Sequence, residues 1–376
     1  MRRDTEIVPR LATSADNAAL LELFGSVPMR GTLVLATRRS PDFFALYAMQ
    51  SGTAECYVGD GEGGKLDGMG TLLVRDGFLR GQPARVGYLG DLRARFGASR
   101  RAGLSRFYGK VLEEARARHG CDQYLTAVLA DNAAALNALV RRRKQRAGQP
   151  VYHLLRRYTA TSIQFAGRRR RARGEPAFQV RTAEPADLPR LESFLAEDHR
   201  RRPFGYRFDQ GELRHRLERW PGFSLERTYL AFDGSGELAG CASAWDPCAV
   251  KRFQVLAYRG EMRWAKLGFN AMARLLGFVR LPAEGSEFRY FYLCNVSVRR
   301  DDPEVLRSLL SRIYGDFRGR GYHFFTLYLD EDDPLRPAIQ KFWTRELRFH
   351  LYAVTLSEAP PPDLGEGRTG FEIALA

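Results

Sequence analysis

Lysine is nearly missing from this chain: six of its 59 basic residues are lysines and the rest are arginines. So lopsided a ratio makes arginine the default cation everywhere. It weakens the inference that a net charge of +15 marks a nucleic-acid partner. Two runs keep that partner open, "RRRKQR" at 141–146 and "RRRRAR" at 168–173; each reads as solvated surface or linker, or as a polyanion contact. Long apolar runs are absent too. No stretch approaches roughly eighteen uninterrupted apolar residues, which excludes a membrane-spanning helix. The basic stretch "MRRDTEIVPRLATSADNAALLELF" lacks the apolar core of a secretory signal. The expectation is a cytoplasmic protein with no membrane partner. Cysteine pairs are missing as well: Cys56, Cys121, Cys241, Cys248 and Cys294 are scattered and form no C-x-x-C, and of the five only Cys121 has a histidine close by, His119. That argues against a zinc site and a disulfide framework and leaves small buried hydrophobes.

What is present is a chain of 376 residues, 44% hydrophobic and 12% aromatic, enough for two globular domains. Short strands alternate with amphipathic helices from residue 5 to 163. "IVPRLAT" reads as a strand and "NAALLELF" as a helix capped by Asp16; "AECYVGD" and "GMGTLLVRDGFL" read as a hairpin around "GDGEGGKLD". "ARVGYLGDLRAR" and "QYLTAVLA" follow as strands, "DNAAALNALVRRRKQR" as a helix capped by Asp131 or Asn132, and "VYHLLRRYTA" as a last strand. The unperiodic "GRRRRARGEPA" at 167–177 is the expected linker. The programme then restarts. "FQVRTAEPADLPRLESFLAEDH" repeats the first strand and Asp-capped helix, and "TYLAFDGSGELAGCASAWD" repeats the hairpin. "FRYFYLCNVSVRR" stands where "ARVGYLGDLRAR" stood, and "HFFTLYLDEDDPL" matches "QYLTAVLADNAAAL" as a strand then a capped helix. The expected organisation is an α/β (α+β) protein with mixed central sheets flanked by helices, one unit at 1–166 and its repeat at 178–376.

The stretch "GASRRAGLSRFYGKVLEEARARHG" places Arg100 and Arg101 where a helix begins, an end that already attracts anions. Unpaired first-turn N–H groups, the dipole and charge-assisted bonds from arginine make a cradle for an anion, and Gly103 lets backbone approach it closely.

"YLGDLRARFGASRRAGLSRFYGKVLEEARARHG" resembles the acetyl-CoA-binding segment of the GNAT (general N-acetyltransferase) superfamily, whose signature is Q/R-x-x-G-x-G/A. Arg100, Gly103 and Ser105 take its first, fourth and sixth places, and "LADNAAALNAL" downstream is similar to family members. The resemblance implies that amides of Arg101, Ala102, Gly103, Leu104 and Ser105 hold the pyrophosphate of acetyl-CoA. It implies that the pantetheine arm pairs with the edge of Leu92, Arg93 and Ala94, and that an N–H near Leu92 polarises the thioester carbonyl. A neutral amine then attacks directly, without a covalent enzyme intermediate. Asp91 is either a base acting through water or a partner that orients Arg93, and Asn132 either a helix cap or a cofactor contact. The chain departs from the family in having no proline before Arg100. It also lacks a tyrosine at Leu139 or Val140, where the general acid often sits.

The matching stretch of the repeat, "VSVRRDDPEVLRSLL", has no glycine; Asp301, Asp302 and Glu304 surround Pro303 in a self-capped helix start that repels anions. The repeat therefore reads as a non-catalytic copy that shapes the acceptor pocket, supports the first unit or forms a homodimer contact. "FRYFYL" and "YHFFTLYL" read as buried strand aromatics, and His199 in "EDHRRRPFGYRFD" as part of a solvated face. The leading function is acetyl transfer to a small-molecule or peptide amine. An aminoacyl-tRNA-dependent transferase and a non-catalytic acyl-CoA sensor are the alternatives, with nucleic acid the less favoured partner.

Overall fold

The computed structural model describes residues 9–29, 31–95, 101–141, 150–166, 178–356, 364 and 367–375, without the side chains of 62 and 101–108. The expected linker at 167–177 lies outside the described residues. In the first half run strands β1 (Pro9–Leu11), β2 (Leu33–Arg38), β3 (Thr53–Asp60), β4 (Leu66–Leu79), β5 (Gln82–Ala94), β6 (Tyr124–Leu129) and β7 (Val151–Gln164). Helices α1 (Asn17–Gly25), α2 (Ala45–Ala48), α3 (Arg101–His119) and α4 (Ala133–Ala135) lie between them. In the second half run β8 (Gln179–Thr182), β9 (Gly205–Tyr206), β10 (Thr228–Phe232), β11 (Leu238–Trp245), β12 (Arg252–Tyr258), β13 (Tyr290–Val298), β14 (Phe324–Asp330) and β15 (Thr344–Thr355). Its helices are α5 (Leu188–Arg201), α6 (Glu212–Arg219), α7 (Glu261–Leu276) and α8 (Pro303–Phe317).

One mixed sheet carries the fold, in the order β1-β3-β4-β5-β6-β15-β7-β14-β13-β11-β10-β8, with β9 added to β4. Its parallel neighbours are β5 with β6 and β13 with β14, one such pair in each half. The halves exchange their last strands. β6 pairs with β15 rather than with β7, and β7 lies between β15 and β14. A second, two-stranded sheet of β2 and β12 also joins the halves, from Arg38↔Arg252 to Leu33↔Tyr258.

Helices cover both faces, so β4 and β11 are buried almost throughout and lose the in-out alternation of a one-sided sheet. α3 sets Val111, Leu112 and Ala115 against Tyr57, Leu72, Leu89 and Tyr124. α8 sets Val305, Leu306, Leu309, Leu310, Ile313, Tyr314 and Phe317 against Phe291, Phe325 and Leu327. That spacing follows the helical period, and each such side chain contributes roughly 1.5–3 kcal/mol of burial. α8 starts as expected: Pro303 opens it and the Asp302 carboxylate accepts from the Glu304 amide at 2.8 Å.

Three expectations are corrected. The helix expected over 131–146 is one short turn, α4, running into a π turn at Leu136–Val140; residues 142–149 are outside the described set. The helix expected after β14 is a 3₁₀ turn, Arg336–Ile339. His199 is buried, not solvated. Its Nδ1 accepts from the Tyr206 amide at 3.1 Å and its ring packs edge-on against Phe208. Burial, and then Arg202 and Arg216, hold its pKa well below the ordinary value. A run of neighbouring arginines made the stretch read as surface, but α5 turns His199 inward, and Phe204, Tyr206 and Phe208 after it are buried as well.

Candidate functional site

The site is built on a bulge in β5. Thr71 pairs with Gly90 and Met69 with Arg93, so Gly70 alone on β4 faces both Asp91 and Leu92. Asp91 takes a left-handed backbone, φ 50°, which aspartate tolerates better than most residues. At the same level β5 parts from β6. Their parallel pairing stops at Tyr88↔Leu125, and the Thr126 hydroxyl makes a last bond to Leu89 O at 2.9 Å. Gly87 permits that junction, since a Cβ there would lie 2.2 Å from the Tyr124 ring. Beyond it, no described strand pairs with residues 90–94 on the β6 side. α3 starts a few residues later, so an open strand edge, a bulge and a helix N-terminus stand together.

Beneath the bulge Asp91 meets a buried arginine. Arg39 Nη1 lies 2.7 Å from the Asp91 carboxylate, and the guanidinium sits 4.8 Å from the Phe24 ring, 5.3 Å from Phe43 and 5.1 Å from Tyr47. Burial acts to lower the Arg39 pKa, but Asp91 and Tyr47 outweigh it and the group stays charged. The Tyr47 hydroxyl donates to the Asp91 carboxylate and lies 2.9 Å from the Thr71 hydroxyl. Burial, then the Asp91 charge, raises its pKa well above the tyrosine range. Asp91's ion-pair partner is therefore Arg39. Arg93 lies over Phe24, 4.8 Å from its centroid, and donates to Leu92 O at 3.1 Å.

A second buried cation enters from the other half. Lys251 precedes β12, and its Nζ donates to Ala374 O at 3.3 Å and lies 5.4 Å from the Tyr292 ring. Burial and then Arg39 lower its pKa, Asp91 partly opposes them, and the amine titrates at about 7. The arrangement thus offers an open amide edge, a fixed carboxylate–guanidinium pair and an amine able to be neutral near physiological pH.

β13 carries the corresponding bulge. Ser243 pairs with Cys294 and Cys241 with Ser297, so Asn295 and Val296 face Ala242 alone, and Asn295 has φ 54°. Arg216 is its buried arginine, 4.5 Å from the Tyr206 ring, 4.6 Å from Trp220 and 5.1 Å from Phe208. It donates to Asn295 Oδ1 at 2.5 Å and pairs with Glu212 at 2.8 Å and Glu372 at 3.0 Å. The bulge amide itself, Asn295 N–H, donates to the Glu372 carboxylate at 3.1 Å. Among the described residues no side chain takes up the amide of Asp91 or Leu92 in this way.

Of the residues singled out in the sequence, Asp91, Leu92, Arg93 and Ala94 come together on the bulged strand. Arg101, Ala102, Gly103, Leu104 and Ser105 form the first turns of α3, and Arg100 lies outside the described residues. Asn132 caps α4: its side-chain oxygen accepts from the Ala135 amide at 3.1 Å. Arg39, Tyr47, Lys251 and Glu372 escaped the sequence reading because nothing in one chain links positions so far apart. The two corresponding stretches "ARVGYLGDLRAR" and "FRYFYLCNVSVRR" hold Asp91 and Asn295, a pairing that the sequence reading did not draw.

Sequence comparison finds no matching family model and no similar curated protein. Structural comparison does find relatives. A GCN5-related N-acetyltransferase from Sphaerobacter thermophilus matches with a TM-score of 0.55 at 14% identity, covering 98% of each chain. The chain has the GNAT fold. Saccharomyces cerevisiae N-myristoyltransferase with bound myristoyl-CoA matches with a TM-score of 0.57 at 11% identity, over 96% of this chain and 81% of that one. The GCN5-related glucosamine N-acetyltransferase region of a fungal multi-domain β-N-acetylglucosaminidase matches with a TM-score of 0.57 at 11% identity. That match covers 93% of this chain, which spans 38% of the fungal one. In this GNAT fold the bulge at Asp91 lies where the central strands diverge.

Proposed function

We propose that the protein is an N-acyltransferase that moves an acetyl group from acetyl-CoA to a primary amine, with its site in the first half. The observation that carries the reading is the open edge at 90–94, bulged at Asp91 and followed, from Arg101, by α3. A pantetheine arm presents amides that suit such an edge, and a pyrophosphate suits the first-turn amides of α3. An amide at the bulge supplies a hydrogen bond to a thioester oxygen that gains charge as the amine attacks. The amine nitrogen bonds to the carbonyl carbon, the C–S bond breaks, and the CoA thiolate leaves. We assign the amine's proton to Lys251, and to Asp91 with Arg39 the role of holding the bulge in shape. The second half is read as a copy that binds no acyl-CoA, because Glu372 already occupies its bulge amide and Asp302 and Glu304 sit at the start of α8.

Titration calorimetry of acetyl-CoA, CoA and myristoyl-CoA into the protein and its Gly103→Glu variant tests this. The expected result is one acetyl-CoA site per chain, lost in the variant. No binding of any CoA species, with salt-sensitive binding of tRNA instead, would overturn it.

A further inference from the structure

β12 and α7 have no counterpart in the first half. There the hairpin from β4 to β5 closes through Arg80 and Gly81, both at positive φ, whereas β11 reaches β13 only after a long excursion. α7 is firmly anchored on its inner side. Ala273 is buried, Lys266 lies 4.3 Å from the Tyr258 ring, and the Asn270 side-chain oxygen accepts from the Leu281 amide at 2.8 Å. Gly277, at φ 71°, ends it, and the Phe278 amide turns back to Ala273 O.

The outer face is held away from the rest of the molecule. Trp264 is 76% exposed, Leu267 61% and Leu275 85%, with Met272 and Leu276 also exposed. At 100° per residue Leu267, Ala271, Trp264, Leu275, Gly268 and Met272 follow one another around that face, and Glu261 in the first turn is the acid that interrupts it. Arg263 and Arg274 lie along one border. Over 259–280 the bases are Arg259, Arg263, Lys266, Arg274 and Arg280 against the single acid Glu261. Isolated exposed apolar residues are ordinary; a contiguous face of this kind with a cationic border is not.

We propose that α7 is a membrane-docking helix that lies on a lipid surface bearing anionic headgroups. Trp264, Leu267 and Leu275 enter the boundary between headgroups and acyl chains, while Arg263 and Arg274 meet the phosphates. A second copy of the chain is a poorer occupant, because stacking two such faces brings like cations together. The absence of a spanning segment, from which no membrane partner was expected, does not bear on a helix that lies in the interface. The inference is independent of the transferase reading.

Flotation of the full chain with phosphatidylcholine vesicles, with and without roughly 30% phosphatidylglycerol, tests it. Binding is expected to the anionic vesicles and not to the neutral ones, and to weaken with salt. Trp264→Glu/Leu275→Glu and Arg263→Glu/Arg274→Glu should each lower partitioning by more than about tenfold. Both pairs are exposed, so circular dichroism and the thermal midpoint should be unchanged. Failure to float, or equal flotation by the variants, would overturn the proposal. So would a dimer seen by light scattering that Trp264→Glu/Leu275→Glu dissolves, which would assign the face to a second copy.

Discussion

At Asp91 a bulged strand rests on one buried guanidinium caged by Phe24, Phe43 and Tyr47; at Asn295 another bulged strand rests on a second, caged by Tyr206, Phe208 and Trp220. The backbones match residue for residue, yet the charges are arranged differently. In the first bulge the strand itself supplies the carboxylate, and among the described residues no side chain takes the bulge amides. In the second the strand supplies a neutral amide side chain, and the carboxylates come from Glu212 and Glu372. One of them takes the backbone N–H as well as the arginine. The same strand geometry is thus compatible with an open polar edge or with one satisfied from within. In the second bulge it is Glu372, far along the chain, that satisfies the amide from within.

The largest effect should come from removing the caged arginines. Arg216→Met leaves Glu212 and Glu372 facing each other in the interior, and the expected cost in urea unfolding is about 3–5 kcal/mol. Arg39→Met strands only Asp91 and should cost roughly 1–2 kcal/mol less than that. If Arg39→Met proved the more damaging, the two cages would not be the equivalents described.

Lys251 gives an effect of opposite sign. Its folded pKa of about 7 lies below the ordinary 10.5. Below about pH 7 both states hold the proton and the full burial penalty applies. Between about 7 and 10.5 the unfolded chain binds more protons, so stability rises with pH. Lys251→Met should abolish that rise and stabilise the protein at pH about 6 by on the order of 3 kcal/mol. It should also flatten the increase in acyl transfer through neutral pH. An unchanged slope of stability against pH would remove Lys251 from the interior cluster.

The smallest effect is expected at Glu372. Glu372→Gln keeps an acceptor for the Asn295 amide while deleting the charge, at a cost of about 1–2 kcal/mol, and acetyl-CoA stoichiometry should stay at one. A second acyl-CoA site in this variant would show that Glu372 alone separates the two halves.

Element order was legible in the sequence because it rests on local signals: the aspartate after each first strand, the turn-rich hairpins, and Pro303 opening α8. Asp16 and Asp187 do not cap α1 and α5 as expected but close a 3₁₀ turn before them, accepting from the Thr13 and Glu184 amides. The edge at Leu92, Arg93 and Ala94 was legible through the family resemblance, but no local signal announced the bulges at Asp91 and Asn295. What local signals do not contain is pairing between distant segments. Nothing in "VYHLLRRYTA" announces that its neighbours are β14 and β15, because an alternating strand suits either sheet. Arg39 and Lys251 each look like an ordinary surface cation until the fold buries them. His199 was misread for the same reason in reverse, with charged neighbours along the chain but aromatic ones in space.

The exchange of β7 and β15 bears on how such a chain can be taken apart. A modular repeat can be copied, trimmed or transplanted, since each unit closes its own sheet. Here the first half on its own would lose β15, the strand between its β6 and β7, and the second would lose β7, the strand between its β15 and β14. Neither half is a portable part. A second half that binds nothing would still be retained, as the supplier of the strand that completes its neighbour.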